Sequence, residues 1–138
     1  MLMALLPVET AHRDFVPDPI TDGEAAAMFR AAVNLFRLWR ITDEEAAVLI
    51  DLPARTYARW KAGQVGRISR DGKARLSNLM GIHKALRLIF SEPQRGYDWI
   101  RRPNGDLGGR SALEVMLGGE LTDLMRVRRL LDAERGAW

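Results

Sequence analysis

TDEEAAVLIDLPARTYARWKAG (Thr42–Gly63) holds two short helical patterns separated by a single break. Thr42 and Glu45 stand three apart, the spacing of a capping box, in which each side chain accepts from the other residue's amide. A helix therefore starts here, with Ala46, Ala47, Leu49 and Ile50 on its inner face. It stops near Asp51, because Pro53 disfavours helical geometry at the residue before it. Pro53 suits the first turn of a second helix, which runs through ARTYARWKA and ends at Gly63, a natural C-cap.

Two short helices with a tight turn form a helix-turn-helix when their packing demands are met. A small residue must sit where the helices cross, and Ala47 does. Apolar residues must flank the turn and anchor the second helix; Ile50, Leu52, Tyr57 and Trp60 fill that role. Asp51 stands where Gly is usual, and Asp tolerates left-handed backbone at some cost. With Tyr57 and Trp60 inward, helical spacing turns Ala54, Arg55, Ala58 and Arg59 outward. Arg55 and Arg59 are one turn apart, and Arg pairs bidentately with guanine O6 and N7 in a major groove. Thr56, at the edge, offers a hydroxyl to a phosphate. Ala54, Arg55, Thr56, Arg59 and Lys61 are thus the expected DNA-facing residues. From Pro53 to Arg75 the chain has seven Lys/Arg and one acid, Asp71. Those beyond the second helix (Arg67, Arg70, Lys73, Arg75) suit backbone phosphates, which give affinity and salt dependence rather than sequence choice. The same pattern also fits a helix pair that is only scaffold. The acidic run Asp43–Glu45 favours that reading unless its charges point away from a DNA backbone.

Helical patterns continue on both sides. Residues 1–20 carry Pro7, Pro17 and Pro19 without a clear period and read as an extended, mobile arm. Thr21 or Asp22 caps a helix over Glu24–Arg40. Met28, Ala32, Leu35 and Trp39 form one stripe of it, and Phe29, Val33 and Phe36 the next, so it is expected in the core. Gln64–Ser69 reads as a basic linker. A further helix is expected over Asp71–Phe90, with Leu76, Leu79, Met80, His83, Leu86 and Phe90 along its apolar stripe. A loop follows. Ser111 and Glu114 make another capping box, with Leu113, Met116 and Leu117 inward. Gly118 and Gly119 break that helix, and a last one over about Leu121–Ala133 uses Leu121, Leu124, Met125, Leu130 and Leu131. No segment alternates convincingly, so an all-α protein is expected. Its parts are the arm 1–20, a helix-turn-helix region 21–70 and a small helical domain 71–138.

Composition narrows the function. The chain has 138 residues and no Cys, so thiolate metal sites and disulfides are excluded. Its two His, His12 and His83, are too few for a zinc cage without several carboxylates. Residues 61–110 carry 11 Lys/Arg against 4 Asp/Glu, whereas residues 1–60 carry 6 against 9. The positive charge is therefore concentrated mid-chain, where a polyanion would seek it. MLMALLP is too short for a signal peptide and lacks a basic start, and no later apolar run is long enough for a membrane span. A cytoplasmic protein is expected. GDLGGRS lacks the Lys and the preceding strand of a phosphate loop. No Ser/His/Asp arrangement is suggested, since His12 lies in the arm and His83 on an apolar helix face, where it reads as a packed residue. Met80, Met116 and Met125, at helical spacing, read as core. No catalytic residue, metal site or cofactor is expected, and the protein is not expected to be an enzyme.

The stretch WIRRPNGDLGGRSALEVM (Trp99–Met116), after a helix-turn-helix and an amphipathic helix, resembles the Xre/MbcA/ParS antitoxin family. The matching positions are Trp99, Pro103, Asn104, Leu107 to Ser111, Leu113 and Glu114. The ending VRRLLDAERGAW is similar to the tail of the subgroup paired with RES-domain toxins. Ala112 and Ala137 depart from the family's usual Pro and Gly, and Asp51 from the turn Gly. The resemblance implies that residues 71–138 are a toxin-binding domain. It implies an antitoxin of a type II pair that silences a RES-domain, NAD-degrading toxin by occluding its active-site entrance. It further implies repression of its own operon through operator DNA, as a homodimer or a higher hetero-oligomer with toxin. The expected toxin-side residues are Trp99, Asn104, Arg110, Arg126, Arg129 and Trp138, of which Trp99 and Asn104 also fit a purely structural role. Trp138 follows Gly136 with little of its own chain to pack on, and Trp is well suited to anchor an interface pocket. It also fits a place folded back on the last helix. Two other functions remain open: a free-standing helix-turn-helix regulator without a toxin, and a toxin-binding module whose helix-turn-helix does not touch DNA.

Overall fold

The structure, a computed structural model, describes residues 19–136. Nearly all of the expected arm, including His12, lies outside the described residues, as do Ala137 and Trp138. The described residues form seven α-helices and no strand. In chain order these are α1 (Asp22–Trp39), α2 (Asp43–Ile50), α3 (Ala54–Lys61), α4 (Arg70–Ile89), α5 (Pro93–Trp99), α6 (Ala112–Met116) and α7 (Leu121–Gly136), with a 3₁₀ turn at Gly105–Leu107 between α5 and α6.

Local chemistry sets most of the boundaries. Thr21 with Glu24, Thr42 with Glu45 and Ser111 with Glu114 each form a complete capping box at the starts of α1, α2 and α6. Pro53 is the N-cap of α3 and not a residue of its first turn, so the helix begins at Ala54, one residue later than the sequence suggests. Helix α5 falls in the segment read as loop. It has Pro at its first turn, a common helix start, but only seven residues, too few to display a period.

Helix α4 is the spine. It packs on α1 and on α7 and also meets α2 and α5. Leu76, Leu79, Ile82, Ala85 and Leu86 are all buried along it. The sequence stripe omits Ile82 and Ala85 because it supposes one buried face, and a helix packed on both sides buries a wider arc. Ile68, in the segment read as a basic linker, is buried too, and so are Ile100 and Leu107 in the segment read as loop. On α7 the core residues are Leu124, Val127 and Leu131; Leu121, Met125 and Leu130 are only partly covered.

The α1–α2 and α2–α3 joints both turn through left-handed backbone at a residue other than glycine. Arg40 has φ 59° and ψ 39°, and Asp51 has φ 60° and ψ 50°. A side chain there costs about 1–2 kcal/mol, less for Asp than for most. Asp51→Gly is therefore expected to raise stability by about 0.5–1 kcal/mol, offset in part by the greater freedom of the unfolded chain. A urea titration reads this as a higher midpoint at unchanged slope; a lower midpoint would mean that the Asp51 side chain makes a contact worth more than the strain.

Candidate functional site

Helix α3 is two turns long, too short to persist alone in water. Tyr57 and Trp60 hold it, at 1% and 6% exposure. The Phe29 ring of α1 meets Tyr57 edge-on at 5.8 Å and Trp60 at 5.5 Å, and Phe36 lies 6.5 Å from Tyr57. Burial, and then the nearby Asp43 carboxylate, push the Tyr57 phenol up to about 12, so it stays protonated. With both aromatics inward, Ala54, Arg55, Ala58 and Arg59 are exposed, as the spacing demands, and Thr56 is half-buried. Among the described residues, Arg55 and Arg59 make no side-chain hydrogen bond or ion pair. Their guanidinium groups are free for a polyanion.

The remaining cations of this region divide. Lys61 is exposed but bonded to Asp43 at 2.8 Å, so α2 turns one acid toward α3 instead of away from it. Lys73 pairs with Asp22 at 3.1 Å. Arg75, expected to suit a phosphate, is buried at 4% exposure. It pairs with Asp71 at 2.7 Å and donates to the Leu49 carbonyl at 3.3 Å. It binds α4 to the end of α2 and cannot reach a ligand. Arg67 and Arg70 stay exposed, and with Ile20, Ile68, Ala74 and Asn78 they border a groove of about 770 Å³ at the start of α4. A second groove, of about 510 Å³, runs between α1 and α3 beside Arg30, Arg37, Arg40 and Lys61.

The other candidate face is the segment from α5 to α6. Asn104 organises it. Its Oδ1 accepts from the Asp106 amide at 2.8 Å, its amide donates to the Arg110 carbonyl at 3.0 Å, and its carbonyl accepts from Leu107 and Gly109. The Oδ1 and both backbone groups of Asn104 are therefore committed within the loop. Trp99 is half-buried against the core, also in a supporting position. Gly108 and Gly109 have φ of 70° and 86°, and a Cβ added at either would meet nothing within 4 Å. The glycines are needed there for the handedness of the backbone, not for a close approach. Arg101, Arg102 and Arg110 are all exposed, but Arg101 also donates to the carbonyls of Trp39 and Arg40 at the end of α1. That role was hidden in the sequence, because its acceptors lie some sixty residues away.

On α7, Arg126 and Arg129 are exposed. Arg128 is not their equivalent. Its guanidinium lies on Gly81 of α4, where a Cβ would come within 2.5 Å of it, and it reaches the Ser77 carbonyl at 3.5 Å. The structure joins Asn104 and Arg110 through the backbone; Trp138 lies outside the described residues.

The described residues contain no cluster of three or more His, Asp or Glu fit for a metal, and none of their helices is long and apolar enough to cross a membrane. His83 is partly buried, and its Nδ1 has no described partner. Burial, then the charge of Arg87, lower its pKa below the ordinary 6.5. The unfolded chain thus takes up this proton first, and stability is lost as pH falls through about 6.5. Thermal melts of the native protein are expected to show a falling midpoint from pH 7 to pH 5.5, a range above most carboxylate titrations. His83→Leu should flatten that slope; an equally steep slope in the variant would assign it to other groups.

Residues 18–81 match the antitoxin Xre-like helix-turn-helix domain, and residues 85–136 match the antitoxin Xre/MbcA/ParS C-terminal toxin-binding domain. The two matches meet within α4, the helix shared by both halves. The uncharacterized protein y4oB of Sinorhizobium fredii is 42% identical over 114 residues, which cover 82% of this chain and 84% of that protein. The mycobacterial cidal antitoxin MbcA of Mycobacterium tuberculosis is 34% identical over 93 residues, 67% of this chain and 78% of MbcA. The crystal structure of the M. tuberculosis MbcT–MbcA toxin–antitoxin complex contains a chain that superposes with a TM-score of 0.53 at 28% identity, covering 78% of this chain and 90% of that one.

Proposed function

The chain belongs to the Xre/MbcA/ParS family of antitoxins, binding proteins rather than enzymes, and from that premise we propose that it neutralises a RES-domain, NAD-degrading toxin and represses its own operon. Helix α3 is the DNA-reading element in this proposal, with Arg55 and Arg59 at base edges, Ala54 and Thr56 beside them, and Lys61 at the rim. Arg67 and Arg70 supply phosphate contacts. The region from α5 to the C-terminus is the toxin side. There Arg110, Arg126 and Arg129 meet an acidic rim, Trp99 and Asn104 support the loop, and Trp138 enters the toxin. The active protein is a homodimer or a higher hetero-oligomer with toxin, in the cytoplasm. The boundary near residue 70 separates the two jobs.

The observation that carries this reading is the free arginine pair on α3. Both side chains are exposed and lack partners among the described residues, while Lys73 and Arg75 are consumed by ion pairs within the chain. MbcA, the antitoxin of the solved MbcT–MbcA complex, supports a protein partner for the C-terminal half. Co-expression with the product of the adjacent reading frame, followed by co-purification and an NAD⁺ consumption assay, tests the toxin half. The expected result is a stable complex without NAD⁺ turnover, with activity returning when the residues after α7 are deleted. A complex that still consumes NAD⁺ would rule out neutralisation by this route, and a truncated protein that still inhibits would rule out the tail as the plug.

A further inference from the structure

Arg101 reaches across the molecule. Its Nη2 donates to the carbonyl of Trp39 at 2.6 Å and to that of Arg40 at 2.9 Å. These are the last residue and the C-cap of α1, where unpaired carbonyls and the negative end of the helix dipole favour a cation. Arg40 takes the left-handed turn into α2, which begins three residues later. Arg101 is itself held in place. Its neighbour Ile100 is fully buried, and the Ile100 carbonyl accepts from the Leu113 amide of α6 at 2.9 Å. One side chain thus ties the α5–α6 segment to the α1–α2 joint.

Helix α2 is gripped at two further points by later parts of the chain. Arg75 of α4 donates to the Leu49 carbonyl near its end. Gly119, between α6 and α7, lies against Val48; a Cβ there would sit 3.5 Å from Val48 Cγ1. The end of α2 is therefore held by residues outside the α2–α3 pair, and the turn that leads into its start by Arg101, while Asp43 at that start is bonded to Lys61 of α3. Helix α3 follows α2 after only three residues, so the direction of Arg55 and Arg59 depends on how α2 is held.

We infer that Arg101 is a positioning residue for the helix-turn-helix: by clamping the end of α1 from the C-terminal half, it lets a protein bound to that half set how α3 is presented to DNA. This rests on the proposed toxin side and DNA side. Arg102 and Arg110 share its segment and are exposed, so a bound protein would press on the backbone that carries Arg101. Its bonds are charge-assisted and directional, and a displacement of an ångström would break them.

The first test needs neither partner. In the free full-length protein, Arg101→Ala is expected to speed amide hydrogen exchange over residues 41–52 by at least about tenfold, the scale of a lost hydrogen bond to a charged group. Protection of α7 should persist, and Arg101→Lys should restore most of the loss. Unchanged exchange at 41–52, or equal acceleration throughout the chain, would overturn the positioning role. The second test is the ratio of operator affinities with and without saturating product of the adjacent reading frame. In Arg101→Ala the ratio should collapse toward one, read with the product kept saturating at the variant's own measured affinity, so that a change in affinity for the product does not enter it. A general loss of fold would lower both operator affinities and leave the ratio. A ratio kept at the native value, or already one in the native protein, overturns the coupling. If the native protein does not bind that product, the toxin reading fails and the coupling with it, while the exchange result still decides whether Arg101 positions α2.

Discussion

Replacing Arg55 and Arg59 together with alanine is expected to abolish sequence-specific operator binding while leaving the fold intact. A good bidentate contact from Arg to guanine discriminates by about 1–3 kcal/mol, so two of them account for roughly 2–6 kcal/mol, or about thirtyfold to twenty-thousandfold in affinity. The residual binding should be weak, salt-sensitive and indifferent to sequence. The fold should be spared because both side chains are exposed and bonded to nothing else described. Gel shifts on the native and scrambled operator, beside a thermal melt, read both halves. Arg67→Ala with Arg70→Ala should behave differently. It should weaken binding to all sequences alike and reduce the salt slope by about two, the signature of lost phosphate contacts. If the α3 double variant binds its operator as tightly as the native protein, α3 is scaffold and the DNA reading fails.

The second large effect is expected at Phe29. Its ring is 1% exposed and edge-on to both anchors of α3. Truncation of such a residue to alanine costs about 3–5 kcal/mol, against a total stability of about 5–15 kcal/mol. The thermal midpoint of Phe29→Ala should fall by roughly 10–20 °C. The loss should be uneven. Helix α3 cannot sustain itself, and Tyr57 and Trp60 lose their common partner, whereas α7 and α4 pack on each other without Phe29. Operator binding should therefore disappear at temperatures where the C-terminal half still binds its partner. Phe29→Leu should recover most of the stability. A drop below about 1 kcal/mol in Phe29→Ala would mean that α3 is anchored by something other than this cluster.

Both effects trace to residues whose placement, outward for Arg55 and Arg59 and inward for Phe29, was legible before any coordinates. The outward face of α3 follows from the period of one short helix with two inward aromatics. The capping boxes at Thr42 and Ser111 and the left-handed turn at Asp51 were readable for the same reason. Each is settled by interactions within four residues. Loop residues were half legible. Asn104 reads in the sequence as a toxin-side candidate that also fits a structural role, but its hydrogen bonds, and the handedness that requires Gly108 and Gly109, emerge only from the closed loop.

Charge was the least legible property. Residues 61–110 read as a broad positive region, yet its members do different work. Arg75 is buried beneath the end of α2, Lys73 is neutralised by Asp22, Arg101 caps α1, and Arg67, Arg70 and Arg110 stay exposed. Apart from Asp71, four residues before Arg75, nothing local distinguishes these residues, because the other acceptors are brought back from 26 to 62 residues away. The amino-acid sequence by itself determined six of the seven described helices, the capping boxes, the all-α class and the face that α3 turns outward, since all of these depend on neighbours one or two turns away. Only the tertiary structure decided which cations are free to bind and which hold the two halves together, because a charge is committed by whatever folding places beside it.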